Sequence, residues 1–242
     1  RSTLFPYTTL FRSQPLGFFM MGAKTAVPIM MGYLPAGFAF GVLAREAGLT
    51  TPEVFLMSLV VYTGSSQFVT VAQMASGVSL AVIVLTCGIV NLRYLLMSAS
   101  IATAFSKLPF FHKLLFGVEL TDETYLVNSA RGERCPPHEL ASPPMRVETL
   151  GINVMSHLSW LTATTAGCFF GSMLGDVRRF GLDFGLVGIF VALLAPRLRD
   201  RKQLVVVVCS GVLAFIFYLL GMGTWSVILA TLAGATLGAM LP

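Results

Sequence analysis

Long apolar runs separated by short polar segments dominate the pattern along this chain. Most are close to the roughly 20 residues that a helix needs to cross a bilayer, whereas one is shorter and is expected to be tilted or re-entrant. The pattern therefore predicts an all-α protein, a polytopic membrane helix bundle of six or seven transmembrane spans. The runs cover about residues 17–44, 54–75, 78–105, 149–174, 182–195 (the short one), 204–220 and 224–241.

Two of these runs are interrupted. Residues 17–44 contain Pro28 and Pro35, which lack a backbone N–H and are expected to kink or break the helix. Residues 54–75 contain the small polar segment Thr63–Gln67 (TGSSQ) at mid-span, where a break is also expected. Irregular backbone at membrane depth is tolerated only where protein or water surrounds it. The interruptions therefore indicate a polar interior.

Composition agrees with a membrane protein. The 242 residues are 55% hydrophobic and only 11% charged, where a soluble domain has about a quarter charged. The formal charge of +5 comes from short loops, so it indicates membrane orientation and no nucleic-acid partner. The basic segment 197–202 predicts a cytoplasmic loop and, by counting back, an external N-terminus. The four cysteines have no metal or disulfide spacing, so no metal or cofactor is expected.

The domain organisation is simple. Residues 1–13 resemble a translated sequencing adaptor and are expected to be non-native, which leaves 14–242 as a single transmembrane domain. Residues 106–148 form a connector, expected outside the membrane, with an amphipathic helix near 108–118.

A short pattern recurs in the two halves of the chain. Gly37–Gly41 (GFAFG) is echoed by Gly167–Gly171 (GCFFG), and the predicted topology makes their spans cross in opposite directions. Halves 17–105 and 149–220 are thus predicted to be inverted three-helix repeats, followed by a last span at 224–241. The glycine spacing of these segments, and of Gly234 and Gly238, predicts close helix packing.

The mid-span segment is the first candidate site. Gly64, Ser65, Ser66 and Gln67 combine a flexible backbone with groups able to bind an ammonium or a carboxylate, which suits a substrate site in a discontinuous helix. The alternative is hydrogen bonding between helices.

Asn91 and Arg93 are the second candidate, since both lie near the middle of run 78–105. A guanidinium at bilayer depth costs roughly 2.5–3.5 kcal/mol on insertion scales, so it faces protein or water. Arg93 is predicted either to bind a substrate carboxylate or to pair with a buried acid from the other half of the chain. On a regular helix the two side chains point about 200° apart, so the helix is either surrounded by protein or open at this point.

Three further residues are candidates for proton coupling. Asp122 and Glu123 follow the amphipathic segment, where they could relay protons or cap a helix that begins at Thr121. His157 lies in run 149–174, either as a proton carrier or as a hydrogen-bonded interior residue.

Several short motifs occur in order along the chain. Together they resemble, over about residues 17–242, the AzlC family of branched-chain amino acid permeases. One departure is Tyr94, where we expect histidine, so position 94 is given no proton role. The motifs are Gly32–Gly41 (GYLPAGFAFG), Ser58 with Tyr62–Phe68 (YTGSSQF), Asn91–Arg93 (NLR), Leu120–Thr124 (LTDET) and Gly181–Phe184 (GLDF).

The resemblance implies the large subunit of a two-component exporter in the bacterial inner membrane. It implies leucine, isoleucine and valine as substrates, with methionine as a related one, and the proton gradient as energy source. It also implies a small AzlD-type membrane subunit as partner, within the lipid bilayer. The residues alone leave open a non-transporting channel or scaffold subunit and a membrane-embedded enzyme. No HExxH motif, Ser-His-Asp set or intramembrane acid pair occurs, so we expect no enzyme activity.

Overall fold

The computed structural model describes residues 15–171, 173, 201–222 and 225–240, and every regular element in these ranges is a helix. The all-α prediction is therefore confirmed. The predicted span 182–195, the motif 181–184, most of the basic loop 197–202 and residues 1–13 lie outside the described residues. The described helices are α1 (Pro15–Glu46), α2 (Thr51–Val60), α3 (Gly64–Ala75), α4 (Leu80–Ala102), α5 (Phe110–Val118), α6 (Asp122–Arg134), α7 (Pro137–Leu140), α8 (Pro143–Gly171), α9 (Arg201–Leu219) and α10 (Trp225–Met240).

Three of the described helices, α1, α4 and α9, are long and apolar enough to cross a membrane. Shorter apolar helices are α2 and the segment Leu229–Met240. The total number of spans stays a prediction.

The first predicted span is one uninterrupted helix with Pro28 and Pro35 inside it. Of the two expected outcomes, a break at these prolines does not occur, and a kink stays a prediction. Each proline removes one backbone hydrogen bond, and packing of α1 along α8 supports the helix on either side of it. The helix ends where Gly48 adopts a φ of 93°, a conformation that glycine takes without strain.

Helices α1 and α8 pack side by side and run in the same direction. A Cβ at Gly22 would overlap Glu148 O near one end, and a Cβ at Gly41 would overlap Thr164 O near the other. Gly167 lies as closely against Phe38 O. The predicted close packing of Gly41 and Gly167 is confirmed, but the prediction that the two spans cross in opposite directions is wrong.

A reversal of the chain after α2 accounts for this error. Residues 61–63 are not helical, and the first turn of α3 folds back so that Gln67 Nε2 donates to Ser58 Oγ at 3.0 Å. The predicted span 54–75 is therefore broken, as expected, but it is not the single straight crossing that the topology count assumed. Val60, Val61, Tyr62, Thr63 and Gly64 all have modest or low helix propensity, which explains why the break lies there.

The connector is largely helical, and part of it packs against the long helices α1 and α8. Its predicted amphipathic helix is present as α5, which forms a hairpin with α6. The hairpin turn, Glu119–Thr121, contacts His157, the central residue of α8, and Tyr33 near the middle of α1. The turn therefore lies level with the middle of both long helices, which differs from the expected position outside the membrane.

An apolar cluster packs against this hairpin. Phe105 and Phe116 stack at 4.6 Å between ring centroids, and Leu140 of α7 is fully buried beside them. Burying a side chain of this size stabilises by about 1.5–3 kcal/mol. The cluster consists of Ile101, Phe105, Leu108, Phe116, Leu120 and Leu140.

The described helices divide into two compact units. The first contains residues 15–67 and 91–173, which include all the candidate site residues. In the second, Thr70 and Gln73 of α3 contact Cys87 and Thr86 of α4. Also in the second unit, α9 packs on α10, where a Cβ at Gly234 would overlap Ser210 Oγ, so the predicted packing role of Gly234 is confirmed.

Candidate functional site

The helix break is held by a buried polar cluster between α2, α3 and α8. Ser58 Oγ accepts hydrogen bonds from Gln67 Nε2 at 3.0 Å and from Thr164 Oγ1 at 2.9 Å. The other end of the Gln67 amide accepts from Trp160 Nε1 at 2.8 Å. Ser58, Gln67 and Thr164 have no exposed surface. Both ends of the Gln67 amide thus join helices, so Gln67 would contact a substrate only after giving up one of these bonds.

A second cluster joins the break to the middle of α4. Ser66 Oγ donates to Asn91 Oδ1 at 2.6 Å, and Thr63 Oγ1 lies 3.4 Å from the same oxygen. The Tyr94 hydroxyl donates to Thr63 Oγ1 at 3.1 Å. The candidate residues Ser66 and Asn91 therefore contact each other directly. Position 94, where histidine was expected, also contributes a polar group to this cluster.

Arg93 bridges the break and the connector hairpin. Its Nη2 donates to Ser65 Oγ at 2.6 Å, and its Nη1 forms an ion pair with Asp122 Oδ2 at 2.7 Å. Its Nε–H is buried and has no acceptor within the described chain. The guanidinium also lies 5.1 Å from the centre of the Tyr94 ring.

Helix α4 stays regular around Asn91 and Arg93, so the alternative of a helix opening at this point is wrong. Arg93 and Asn91 point in different directions from the helix, and the long Arg93 side chain still reaches Ser65 and Asp122. Arg93 does pair with an acid, but Asp122 is a partly exposed residue of the connector, whereas the prediction was a buried acid from the other half of the chain. The role of Arg93 towards substrate stays a prediction.

Thr121 places two candidate acids at the start of α6. It is the N-cap, and its side chain accepts from Thr124 N at 3.2 Å, which confirms the predicted helix start. Asp122 then faces Arg93, while Glu123 Oε2 accepts from the Tyr33 hydroxyl at 2.7 Å. Proton transfer by either acid stays a prediction.

His157 joins the same centre from α8. Its Nδ1 lies 3.1 Å from both carboxylate oxygens of Glu119, and its Nε2 lies 3.1 Å from Ser58 O. The Tyr62 ring stacks on the imidazole, with centroids 4.0 Å apart. The interior, hydrogen-bonded interpretation of His157 is confirmed, and its role as a proton carrier stays a prediction.

Glu119, Trp160 and Thr164 were not among the residues predicted for this site, and Ser58 was noted only as part of a family motif, without a role. Glu119 lies within the connector, which was expected outside the membrane. The only available signal was proximity to motifs, since Glu119 directly precedes Leu120–Thr124. Gly64, also a candidate, supplies space: a Cβ there would lie 3.2 Å from the Trp160 ring. Within the described ranges, no three His, Cys, Asp or Glu side chains could hold a metal ion.

The chain is similar in sequence to a known family of membrane proteins. The family model described as AzlC protein matches residues 28–174, more than half of the chain. An uncharacterized membrane protein of Archaeoglobus fulgidus is 34% identical over 224 residues, covering 90% of this chain and 93% of its own length. The inner membrane protein YgaZ of Escherichia coli is 30% identical, covering 92% of this chain and 88% of its own.

A third relative carries a transport name. The branched-chain amino acid transport protein AzlC of Bacillus subtilis is 24% identical over 201 residues, covering 79% of this chain and 72% of its own length. No solved structure matches the chain significantly.

Proposed function

Because this multi-pass membrane protein belongs to the AzlC family, we propose that it carries branched-chain amino acids across the cell membrane. The proposal rests chiefly on the ion pair between Arg93 and Asp122 beside a broken helix. An amino acid is a zwitterion, and a cation and an anion side by side suit its two charged ends. Arg93 and Asp122 are such a pair.

The substrate would enter between these two side chains. Its carboxylate would bind Arg93, whose Nε–H is a spare donor, and its ammonium would bind Asp122. One ion pair would be replaced by two, so no charge would be left unpaired within the protein. The free-energy cost of desolvating the substrate's two charges is therefore lower here than in a site without charged side chains.

The half-helix start supplies the remaining polar contacts. Ser65 and Ser66 lie in the first turn of α3, where backbone N–H groups lack intrahelical acceptors. A carboxylate near this end is favoured by the helix dipole. We therefore assign Gly64, Ser65, Ser66, Asn91 and Arg93 to substrate binding, and Gln67 to the same site with a first role in holding α2 against α8.

The finer parts of the proposal come from the family resemblance. They are export as the direction, the proton gradient as the driving force, and a small AzlD-type subunit as the partner. The candidate proton carriers are Asp122, Glu123 and His157. All three lie in or beside the buried polar network of the first unit, which supports a link between proton and substrate.

Reconstitution tests the proposal. Liposomes containing the purified protein, with and without the small subunit, would be given a pH gradient and radiolabelled leucine. We expect saturable leucine flux that needs both the gradient and the partner and is competed by isoleucine and valine. Protein-free liposomes are the control.

Other outcomes would identify the rival classes. Flux that does not saturate and ignores the gradient would indicate a channel. Absence of flux under every condition, with folded protein in the membrane, would indicate a scaffold subunit and contradict the proposal.

A further inference from the structure

We propose that Glu119 and His157 together hold one proton, and that this proton fastens the half-helix α2 to α8. The shared proton is inferred from hydrogen-bond geometry alone. Only what the proton would drive rests on the proposed transport function. Glu119 is thus assigned a proton-binding role that the sequence motifs do not suggest.

Both nitrogens of the His157 ring face oxygen atoms. Nδ1 faces the Glu119 carboxyl group, with both oxygens at 3.1 Å, and Nε2 faces the backbone oxygen of Ser58 at 3.1 Å. A neutral imidazole has one N–H, whereas both of its nitrogens here face oxygen atoms. If Glu119 were ionised and His157 neutral, one nitrogen lone pair would point at an oxygen lone pair.

One additional proton removes this conflict in either of two places. On His157, it makes both ring nitrogens donors, to Ser58 O and to an ionised Glu119. On Glu119, it makes the carboxyl group a donor to Nδ1, while Nε2–H donates to Ser58 O. Both arrangements carry the same total charge, which is one proton more than a neutral imidazole beside a carboxylate.

The Ser58 carbonyl explains why the proton matters for the helix break. Ser58 lies in the last turn of α2, where helix geometry leaves backbone oxygens short of intrahelical donors. A donor there satisfies the helix end, and a positive charge is favoured by the helix dipole. When the proton leaves, one of the two ring contacts must be lost, so the end of α2 is less firmly held to α8 or to the connector hairpin.

The surroundings of the pair come from five helices. The Tyr62 ring covers one face of the imidazole, and burial of Glu119 and His157 is nearly complete. Tyr33 packs edge-on against Tyr62 and donates to Glu123, so this second acid is already bonded. The titratable or charged groups that lie around the pair are Tyr33 of α1, Tyr62 beyond the end of α2, His112 of α5, Glu123 of α6 and Arg146 of α8.

A small cavity offers a route for the proton. Its volume is about 30 Å³, enough for about two water molecules, and Glu119 is one of its lining residues. Thr149, Asn153 and His112 supply polar groups on the same walls. The cavity lies between α5 and α8 and is lined by neither Arg93 nor Asp122, so water in it would bring a proton to Glu119 by a way separate from the Arg93 site.

Spectroscopy on the purified protein tests the shared proton without any transport measurement. The chain has three histidines, so the ¹⁵N signals that vanish in His157→Gln belong to His157. A carboxylic acid infrared band that vanishes in Glu119→Gln belongs to Glu119. At about pH 7, where a free histidine is mostly neutral, we expect either two protonated ring nitrogens or the acid band. A neutral His157 without the acid band would overturn the proposal.

The variant Glu119→Gln provides a second test. Its amide N–H can donate to a neutral Nδ1, so the contact persists without the additional proton. We expect His157 to be neutral in this variant, with Nε2 as the only protonated nitrogen, whichever of the two groups holds the proton in the wild type. A His157 that stays doubly protonated in Glu119→Gln would contradict the shared proton. Glu139→Gln, at an exposed acid of α7, is the matched control and should leave the His157 signal unchanged.

Transport then tests what the proton drives. In liposomes, Glu119→Gln should lose leucine accumulation driven by a pH gradient but keep exchange of internal for external leucine. Accumulation at the wild-type level in Glu119→Gln would contradict the driving role. If the wild-type protein itself shows no leucine flux, the proposed function fails while the spectroscopic result still decides the proton site.

Discussion

Gln67 and Ser58, nine residues apart in the sequence, are joined by a hydrogen bond of 3.0 Å between Nε2 and Oγ. A straight helix would separate them by about 13.5 Å along its axis, at 1.5 Å per residue. The bond therefore shows that the chain turns back at residues 61–63. Ser58 is also the point where α8 makes contact, through Thr164 and through His157. Gln67 and Ser58 thus hold the reversal on which the candidate site is built.

The first prediction concerns this bond. Gln67→Ala should lower the melting temperature of the purified protein, because it leaves the buried Trp160 N–H without an acceptor, at a cost of about 1–3 kcal/mol. Leucine affinity should change by less than about threefold, or about 0.7 kcal/mol. Melting and leucine binding would be measured on the same sample.

Gln73→Ala is the matched control for Gln67. Gln73 is another glutamine of α3, only partly buried, whose amide donates to Thr86 at 3.2 Å. It should melt close to the wild type. An affinity loss of about 10-fold or more in Gln67→Ala, with an unchanged melting temperature, would instead support the direct substrate contact that the sequence predicts.

The second prediction concerns the contact between α1 and α8. Gly41→Ala should destabilise the protein by about 1–3 kcal/mol, because the added methyl group would overlap Thr164 O and force the helices apart. The control is Gly32→Ala on the same helix, where nothing lies within 4 Å of the new Cβ. Alanine favours a helix more than glycine by about 0.5–1 kcal/mol, so the control should be slightly stabilised. Equal melting temperatures for the two variants would contradict the packing of α1 on α8.

Much of the fold is readable from the sequence, because helix formation in a membrane depends on local composition. The apolar runs predict α1, α4, α8, α9 and α10 to within a few residues at most of their ends. The polar segment Thr63–Gln67 also marks the break correctly, since low helix propensity and polar side chains act locally. Thr121 as the start of α6 is predicted for the same reason.

The direction of the chain after the break is not readable in this way. Whether α3 continues α2 or turns back depends on the contacts among Ser58, Gln67 and Trp160. Gln67 of α3 and Trp160 of α8 are 93 residues apart in the sequence. The spacing of hydrophobic residues along the chain does not reveal contacts between residues so far apart in the sequence. The inverted relationship of α1 and α8 was therefore predicted wrongly, from a count that took residues 54–75 as one crossing.

The site was found only in part for a related reason. Asn91, Arg93 and His157 stand out because polar residues are rare in apolar runs. Glu119 does not stand out, because it lies among the charged residues of the connector. Its importance depends on the α5–α6 hairpin reaching His157, which is a tertiary property.

The third prediction concerns orientation. A cysteine at Lys202, in a background in which the native cysteines are replaced by alanine, should react with an impermeant reagent only after the cytoplasmic side is opened. Lys202 is exposed at the start of α9 and belongs to the basic segment 197–202, which the positive-inside rule assigns to the cytoplasm. Labelling in intact cells would reverse the orientation assigned to the chain.

The fourth prediction concerns the ion pair at the proposed substrate site. Arg93→Ala should abolish leucine transport, because it removes the only cation that contacts both the start of α3 and Asp122 within the described chain. Arg93→Lys should also fail, since one ammonium group cannot reproduce the separate nitrogens that bind Ser65 and Asp122. Transport would be measured at equal expression, with Arg134→Ala, an exposed arginine of α6, as the control.

A double variant separates binding from stability at this pair. Arg93→Ala alone leaves Asp122 without its cation and should cost about 1.5–3 kcal/mol, whereas Asp122→Asn in the same chain removes the unpaired charge and should restore much of the melting temperature. Transport should stay absent in the double variant, because it has lost the charge that would bind each end of a zwitterion. If the double variant recovers both stability and leucine flux, then Arg93 and Asp122 serve the fold alone, and the substrate must bind elsewhere, first around Asn91.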